Sequence, residues 1–404
     1  MRISTAMMYD MGAARISDLQ GNTVKMQQQI STGKRILSPS DDPIGSARAL
    51  ELSQGKSVNE QFAVNRQQAN SLLSQEEGAL SNLTGIVQDI QNLIIKAGNA
   101  SLGNEERRYL AIELQGRFDD LLGIANTRDG SSNYLFGGYN VTNQPFVPAA
   151  GGVSYNGDQG QRSLKIDSTR QIALSDSGAD VFERVRTGNG TFVVSADAGN
   201  TGSGVVSQGS VINGAVPTSL RYEIVFTVND DVTTYDVINP LTNTPVAPAG
   251  RAFTDGAAIE LDGMEFHITG QPAAGDTFTI EPSQNKSVFT SVQELIDLLK
   301  QPLAGVAERT RLQNGLNQAN VEMASMLDKV LAVRASVGAR LQEVEKLDSV
   351  GMDRDLYYEE ALSDLQDLDY VKALSDLARQ QVMLEAAQKT FVTVSGLSLF
   401  KMIS

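Results

Sequence analysis

The last forty residues of the chain, 365–404, carry apolar side chains in steps of three and four, which is the period of a helix with one narrow apolar seam. This seam consists of Tyr370, Leu374, Leu377, Leu384, Ala387, Phe391 and Val394, with Gln381 as its single polar interruption. Polar side chains such as Lys372 and Glu385 occupy the other faces. A seam this narrow suits another helix better than a broad globular core.

The first thirty residues carry a matching pattern. Their seam consists of Tyr9, Gly12, Ile16, Leu19, Thr23, Met26 and Ile30. It is the weaker of the two, because Gly12 and Thr23 contribute little apolar area. The two helices are expected to pair with each other or with copies from neighbouring molecules. The alternative is an ordinary two-helix pair on a globular core.

The chain between these ends begins with further helices. Asp42 is a plausible helix N-cap, and Pro43 suits the first helical position. From Pro43 to Lys96 the sequence predicts one very long helix or two in line, with Gly55, Gly78 and Gly85 weakening continuity. Another helix is predicted from Asn104 to about residue 126. Segment 128–140 is expected to form a hairpin or an extended crossing, with Asp129-Gly130 as the turn and residues 134–136 as a strand.

The composition changes at about residue 143. From there to about residue 286, Gly, Thr, Asn and Val dominate, and short alternating runs are separated by turns, which predicts an all-β sandwich or a barrel-like insert. Helix is predicted again over 291–299 and over 312–350. A joint at residues 351–353 is expected before the last helix.

This order predicts an α+β multidomain fold, in which both chain ends form a long antiparallel helical bundle that carries an inserted all-β domain. The molecule should be a long hairpin with the β domain at its far end. The predicted segments are an N-terminal coiled-coil helix (1–38), the first part of a helical stalk (39–142), the β-rich insert (143–286), the second part of the stalk (287–352) and a C-terminal coiled-coil helix (353–404).

Charge and residue usage argue against several functions. The chain has 404 residues and a formal charge of −15, which makes nucleic acid an unfavourable partner. It has no cysteine and a single histidine, His267, so disulfides, thiolate metal sites and histidine zinc clusters are excluded. The run STGK at 31–34 lacks the upstream glycine of a phosphate loop and fits a helix end. Residues 156–160 (NGDQG) fit a β-turn better than a calcium loop. We predict no enzyme activity, no cofactor and no metal site.

The chain shows neither a secretory signal nor a membrane span. Residues 1–30 contain no apolar run of 7–15 residues, and Asp10 and Asp18 fall among them. No window approaches the roughly 18 apolar residues that would cross a bilayer. The chain is therefore expected to be cytoplasmic, or to leave the cell by a route that removes no amino-terminal peptide.

Three motifs resemble the flagellin family, the axial proteins of the bacterial flagellum: MRISTAMMYD at the start, STGKRILSPSDDP at 31–43 and TRDGSSNYLFGGYN at 127–140. The closing segment, DLDYVKALSDLARQQVMLEAAQK at 367–389, is similar in character to the terminal helix of that family. Flagellins read closer to SSGLRINSAKDDAAG in the second motif. Lys34 and Pro39, together with the sequence Asp41-Asp42-Pro43, favour the hook–filament junction members of the family, and flagellin itself is the alternative. An adhesin or a phage-tail-like stalk presenting a β domain is a more distant alternative.

The resemblance implies a structural adapter that assembles through its terminal helices and serves as a platform for filament growth. The implied partners are copies of the chain in a ring, the neighbouring hook-associated junction protein, flagellin, and an export chaperone on the C-terminal helix. The implied location is the extracellular flagellum, reached through the flagellar type III apparatus without a cleaved signal peptide. The expected subunit-interface residues are Tyr9, Ile16, Leu19, Met26, Ile30, Tyr370, Leu374, Leu377, Leu384 and Phe391. The family-motif residues are Ser31, Thr32, Gly33, Lys34, Arg35, Pro39, Asp41, Asp42, Pro43, Tyr134, Phe136 and Gly137.

The energetics suggest that neighbours are needed to order the chain ends. Burying about seven seam residues of the last helix stabilises it by roughly 10–20 kcal/mol. Ordering forty residues costs ~1–2 kcal/mol each in backbone entropy. We therefore expect the termini to be disordered in the free monomer and to order when neighbours supply a facing seam.

Overall fold

The computed structural model of the chain describes residues 5–403 except 150–151, 213–220, 231, 243 and 247, and it describes side chains within 7–394. Residues 1–4 of the first motif therefore lie outside the described part. The chain divides into two compact units. We call them the helical unit (residues 1–65 and 346–404) and the central unit (residues 66–345).

Six helices account for most of the described chain. They are α1 Thr5–Thr32, α2 Pro43–Ala97, α3 Asn104–Ala125, α4 Val288–Lys300, α5 Val306–Gln366 and α6 Tyr370–Ile403. The very long helix predicted from Pro43 is therefore confirmed as one continuous helix. Gly55 does not break α2, because it serves a close approach: a Cβ added there would lie 3.0 Å from the ring of Tyr358 on α5.

The predicted joint at residues 351–353 is wrong, because these residues lie inside α5. Gly351 is buried, and its carbonyl accepts a hydrogen bond of 2.8 Å from the side chain of Asn59, itself buried, on α2. The glycine therefore marks a close helix contact. The actual break lies at residues 367–369, just before α6 begins at Tyr370.

The central unit contains the predicted β-rich region, which forms open sheets. Its main sheet has the order β11-β10-β9-β15-β6, with β12 also paired to β10. A second sheet has the order β13-β14-β7, with β8 also paired to β14, and three two-stranded sheets join β1 to β2, β3 to β4 and β5 to β16. The strands are β1 Phe146–Ala149, β2 Gly152–Tyr155, β3 Ser163–Lys165, β4 Gln171–Ala173, β5 Val185–Arg186, β6 Phe192–Ala196, β7 Val205–Val206, β8 Ser210–Val211, β9 Tyr222–Asn229, β10 Val232–Asn239, β11 Thr244–Pro245, β12 Arg251–Ala252, β13 Ala258–Leu261, β14 Met264–Thr269, β15 Thr277–Pro282 and β16 Asn285–Lys286.

One apolar core joins the two larger sheets. Phe226 and Phe278 of the main sheet and Phe266 of the second sheet belong to the same buried cluster, as in a sandwich. The sequence predicts alternating runs around a turn over residues 221–239, which form the hairpin β9–β10, and it predicts one short strand over 258–269, where the structure instead has the hairpin β13–β14. The latter turns at Asp262-Gly263, where both residues have positive φ, as a two-residue β-turn requires.

Helices and hairpins of the central unit share a second core. The apolar face of α2 buries Leu73, Leu80, Leu83, Val87 and Ile90 completely. An aromatic group of Phe118, Phe136, Phe146, Phe182 and Phe289 packs nearby, with ring centroids 5.1–5.9 Å apart. The fold is therefore the predicted α+β architecture, with helices at both chain ends and a β-rich middle.

Candidate functional site

The two terminal helices pair in antiparallel fashion within the helical unit. At one end of the pair, the rings of Tyr9 and Phe391 lie 4.9 Å apart, and Gly12 lies directly against Phe391. At the other end, Gly33 lies against Tyr370. The pairing of the two seams predicted from the sequence is thus present within one chain.

The pair buries only part of each predicted seam. Ile16, Leu19, Met26 and Ile30 of α1 and Leu377, Leu384 and Phe391 of α6 are half-buried. Tyr9, Tyr370 and Leu374 remain 56, 50 and 54 % exposed.

The seam of α6 is shifted from the predicted one at two positions. Ala373, rather than Leu374, is buried, and Gln380, rather than Gln381, is half-buried. The physical reason is the close approach of the helices, because a small side chain fits where Leu374 would not. Leu374 therefore stays available for contact outside the chain.

Helix α6 carries a second apolar stripe on the opposite side. At 100° per residue, Val371, Ala378 and Val382 fall on one line, with Leu374 beside them, about half a turn from Ala373, Gln380 and Leu384. Val371 is 83 % and Val382 is 68 % exposed. A helix that is apolar on two sides is typical of one buried between several partners.

The rest of the helical unit shows the same excess of exposed apolar surface. Among its described residues, the buried hydrophobic side chains are Ala49 and Ala373. Large apolar side chains that are more than half exposed include Met7, Met8, Met11, Val24, Ile44, Leu50, Val58, Val64, Met352, Leu356 and Tyr357. Surfaces of this kind mark protein interaction sites.

The motif at 31–43 forms the connection between α1 and α2 and ties it to the end of α5. Gly33 has φ +70°, and its carbonyl accepts a 2.9 Å hydrogen bond from the Leu368 amide. The backbone amide of Arg35 donates a hydrogen bond of 2.7 Å to the Gln366 carbonyl, and the guanidinium of Arg35 donates one of 2.8 Å to the Leu365 carbonyl. Lys34 forms a β-bridge with Asp367. The motif therefore joins the two ends of the chain.

The two aspartates of this motif have separate structural roles. The Asp41 carboxylate forms an ion pair of 2.6 Å with Lys25 and accepts hydrogen bonds from the amides of Ser38 and Leu37, and these contacts together lower its pKa. Asp42 accepts a 2.8 Å hydrogen bond from the Gly45 amide, which confirms it as the N-cap of α2.

Other motif residues contribute less. Pro43 begins α2 as predicted, and Ser31 and Pro39 are exposed. The Thr32 hydroxyl donates to the Gln28 carbonyl. The sequence prediction missed Lys25 and Gln29, whose side chains reach into the motif, because their contacts depend on the turn.

The motif at 127–140 lies in the central unit and forms a turn-rich loop. The predicted strand at 134–136 is wrong, since Tyr134 makes only an isolated bridge with Arg128. The carbonyl oxygen of Phe136 accepts hydrogen bonds from the Gly178 amide and the Tyr155 hydroxyl. The Phe136 ring is fully buried, 5.3 Å from that of Phe182. The loop is therefore part of the core.

The predicted turn at 156–160 holds this loop in place through hydrogen bonds to Asp158, a contact that we call the Asp158 clamp. The Asp158 carboxylate accepts hydrogen bonds of 2.7–2.9 Å from the amides of Tyr139, Asn140 and Gly160, and these lower its pKa. Gly137 is needed because a Cβ there would lie 2.6 Å from the Asn140 carbonyl oxygen. The carboxylate is thus occupied by backbone amides, which argues for the turn interpretation over a calcium loop.

Groups suited to metal binding do not converge in the described part of the chain. Within residues 5–403, apart from the gaps given above, no group of three or more His, Asp or Glu side chains could hold a metal ion. The half-buried His267 lies 3.6 Å from Glu265 on β14. None of the helices in the described residues is long and apolar enough to cross a membrane.

Comparison with known proteins identifies relatives along the whole chain. The family described as the bacterial flagellin N-terminal helical region matches residues 3–141. Flagellar hook-associated protein 3 of Salmonella typhimurium is 30 % identical over 403 residues, which cover 100 % of this chain and 99 % of that protein.

Solved structures agree with these sequence matches. Flagellar hook-associated protein 3 of Legionella pneumophila has a TM-score of 0.73 and 34 % identity, with coverage of 78 % of this chain and 98 % of that one. The flagellar junction protein FlgL of the same organism has a TM-score of 0.71 and 33 % identity, with coverage of 79 % and 100 %. The chain therefore belongs to the flagellar hook-associated protein 3 (FlgL) family of flagellin-related proteins.

Proposed function

We propose that the chain is a structural adapter subunit of the bacterial flagellum at the hook–filament junction. The observation that carries this proposal is the excess of exposed apolar side chains on the helical unit. Exposed Val371, Leu374 and Val382 line the outer side of α6, while its inner side already packs against α1. Apolar area of this kind is stabilised when a neighbouring helix covers it, at roughly 25 cal/mol per Å².

Copies of the chain would form a ring through these helices, with the neighbouring hook-associated junction protein on one side and flagellin on the other. The role is structural, so no catalytic residues are assigned. The same exposed stripe on α6 is suited to an export chaperone that covers it before passage through the flagellar type III apparatus.

The terminal helices are expected to be marginal before assembly. In the free chain, α1 and α6 have little apolar burial beyond their mutual contact. We predict sharp amide NMR signals at random-coil shifts for residues 1–30 and 365–404 in the monomer. Strong hydrogen-exchange protection of these residues in a verified monomer would contradict this expectation.

Electron microscopy of hook-bearing basal bodies distinguishes an adapter from flagellin. The purified chain is added first, and flagellin is added afterwards, with the neighbouring junction protein supplied. An adapter stops at the hook tip and allows flagellin to extend from there. Growth of long filaments from the chain alone would identify it as a flagellin.

Substitutions in the exposed apolar stripe of α6, which we call the outer stripe (Val371, Leu374, Ala378 and Val382), test whether this surface is needed for binding to the hook tip. The double substitution Val371→Asn and Val382→Asn should abolish capping of the hook tip, as should removal of residues 365–404. The matched control is Lys372→Gln, an exposed polar position on the same helix. Capping by the double variant at the level of the control would overturn the assignment of this stripe.

A further inference from the structure

A cluster of charged and polar side chains lies inside the central unit. Glu76 of α2, Ser175 and Asp176 after β4, Arg162 before β3 and Arg340 of α5 make up this polar cluster. The amide of Leu174 donates to the Arg162 carbonyl at 2.8 Å, which brings the two flanks of the β3–β4 hairpin together.

Part of the polar cluster is fully paired. The Asp176 carboxylate forms an ion pair with Arg340 and accepts a hydrogen bond of 2.7 Å from the Gln161 side chain. The Asp176 amide donates to Oε1 of Glu76 at 2.8 Å. The charges of Asp176 and Arg340 therefore balance each other, and one oxygen of Glu76 is satisfied.

Four buried polar atoms of the polar cluster have no hydrogen-bond partner. They are Oε2 of Glu76, Oγ of Ser175, and Nε and Nη2 of Arg162. Glu76 is 0 % and Ser175 is 1 % exposed. Nε and Nη2 form the edge of a guanidinium that recognises anions with two parallel N–H bonds. Buried polar groups are nearly always paired in folded proteins, so four at one place point to a ligand.

The protonation of Glu76 decides what kind of ligand fits. Burial raises the pKa of Glu76 to about 8, and the negative charge of Asp176 acts in the same direction. The Asp176 amide, Arg340 and Arg162 lower the pKa by less. On α2 itself, the adjacent Glu77 is paired with Arg334 at 2.6 Å. At neutral pH, Glu76 therefore keeps its proton and its free oxygen carries a hydrogen-bond donor.

All four unpaired atoms are then donors, and Arg162 adds a positive charge beside Glu76. We propose that the polar cluster binds a small monovalent inorganic anion, such as chloride or nitrate, between Arg162, Ser175 and Glu76. The anion balances the charge of Arg162 and accepts the N–H and O–H bonds. Above the pKa of Glu76 the carboxylate carries this negative charge itself and displaces the anion.

The test uses the full chain and measures the midpoint of thermal unfolding against chloride concentration. Gluconate keeps the ionic strength constant and is too bulky for a buried site. At pH 6, chloride should raise the midpoint saturably, by about 2–5 °C at ten times its dissociation constant. At pH 9.5 the rise should disappear.

Two substitutions separate the site from general salt effects. Arg162→Gln should abolish the chloride effect. Glu76→Gln retains a donor and an acceptor without a titratable proton, so the effect should persist and lose its pH dependence. An equal chloride effect in Arg162→Gln, or a rise that does not saturate, would overturn the proposal.

A direct measurement covers the case in which a variant fails to fold. The ³⁵Cl NMR line of the wild-type chain should broaden at pH 6, and nitrate should reverse the broadening competitively. Absence of broadening at pH 6, or a Glu76 carboxyl that ¹³C NMR shows to be ionised at that pH, would contradict the anion site.

Discussion

Gly12 of α1 lies so close to the ring of Phe391 on α6 that a Cβ at position 12 would be 2.7 Å from Cδ2 of the ring. Real side chains do not tolerate this separation, so the ring occupies its place only because position 12 has no side chain. The glycine that weakens the apolar seam of α1 in the sequence is therefore what allows the helix ends to pack.

Substitution of Gly12 by alanine should show whether its close contact with Phe391 affects stability more than the gain in helix propensity does. Gly12→Ala should displace Phe391 and destabilise the helix pair by about 1 kcal/mol, because overpacking outweighs the gain in propensity. Gly21→Ala is the matched control, since a Cβ at position 21 meets nothing within 4 Å, and it should stabilise α1 by roughly 0.5–1 kcal/mol. Amide hydrogen exchange along α6 in the assembled junction, where the helix pair is ordered, measures both effects, and equal shifts in the two variants would contradict the contact.

The N-cap of the long helix α2 offers a second prediction. Asp42→Ala removes the acceptor of the Gly45 amide and should lower the free energy of unfolding of the helical unit by ~1 kcal/mol. Asp42→Asn keeps a capping oxygen and should cost only a fraction of that. Chemical denaturation followed by circular dichroism measures the difference. Equal losses in both variants would assign the role of Asp42 to its charge rather than to the cap.

The clamp of Asp158 on the loop at 134–140 should matter for the central unit. Asp158→Ala leaves the amides of Tyr139 and Asn140 without acceptors, and we expect a loss of roughly 1–3 kcal/mol in the free energy of unfolding. Asn156→Ala, in the same turn, is the control and should be nearly neutral. Hydrogen exchange at Tyr139 and Asn140 reports the clamp directly, and unchanged protection in Asp158→Ala would refute it.

Glu76 should give the central unit a pH dependence of unusual sign for a carboxylic acid. Its folded pKa of about 8 lies above the unfolded value of 4.5, so the folded state holds more protons between these values. The free energy of unfolding should therefore fall as the pH rises through this window, by up to about 1.4 kcal/mol per pH unit. Glu76→Gln should remove this slope in denaturation experiments at pH 5–9. A slope that persists unchanged would assign it to other groups.

The long helices could be predicted because their signals are local. Asp42 and Pro43 start α2, and three- and four-residue spacing continues to its end. The glycines misled the prediction because Gly351 reads as a break in sequence, whereas in the fold it continues α5 and its carbonyl accepts a hydrogen bond from the Asn59 side chain. Whether a glycine ends a helix or brings two helices together depends on the partner helix, which is distant in sequence.

The pairing of the two terminal helices was predictable from the sequence, but the positions of α6 that face α1 differ from the predicted ones. Periodicity located the seam of α6 but did not distinguish Ala373 from Leu374, because adjacent residues both fit a three-and-four spacing. The choice depends on how closely α1 approaches. The contacts of Asp158 with Tyr139 and Asn140 were not predictable, because they join residues about twenty apart through a turn without regular secondary structure.

Labelling of a thiol at position 382 tests whether neighbouring subunits cover the outer stripe of α6. The natural chain has no cysteine, so Val382→Cys provides a single reactive thiol at a position that is 68 % exposed. Thr242→Cys, at an exposed site in the β-rich region, is the control. Maleimide should label both thiols in the monomer and, on assembled hook tips, only the thiol at position 242. Undiminished labelling at position 382 in the assembly would contradict the account.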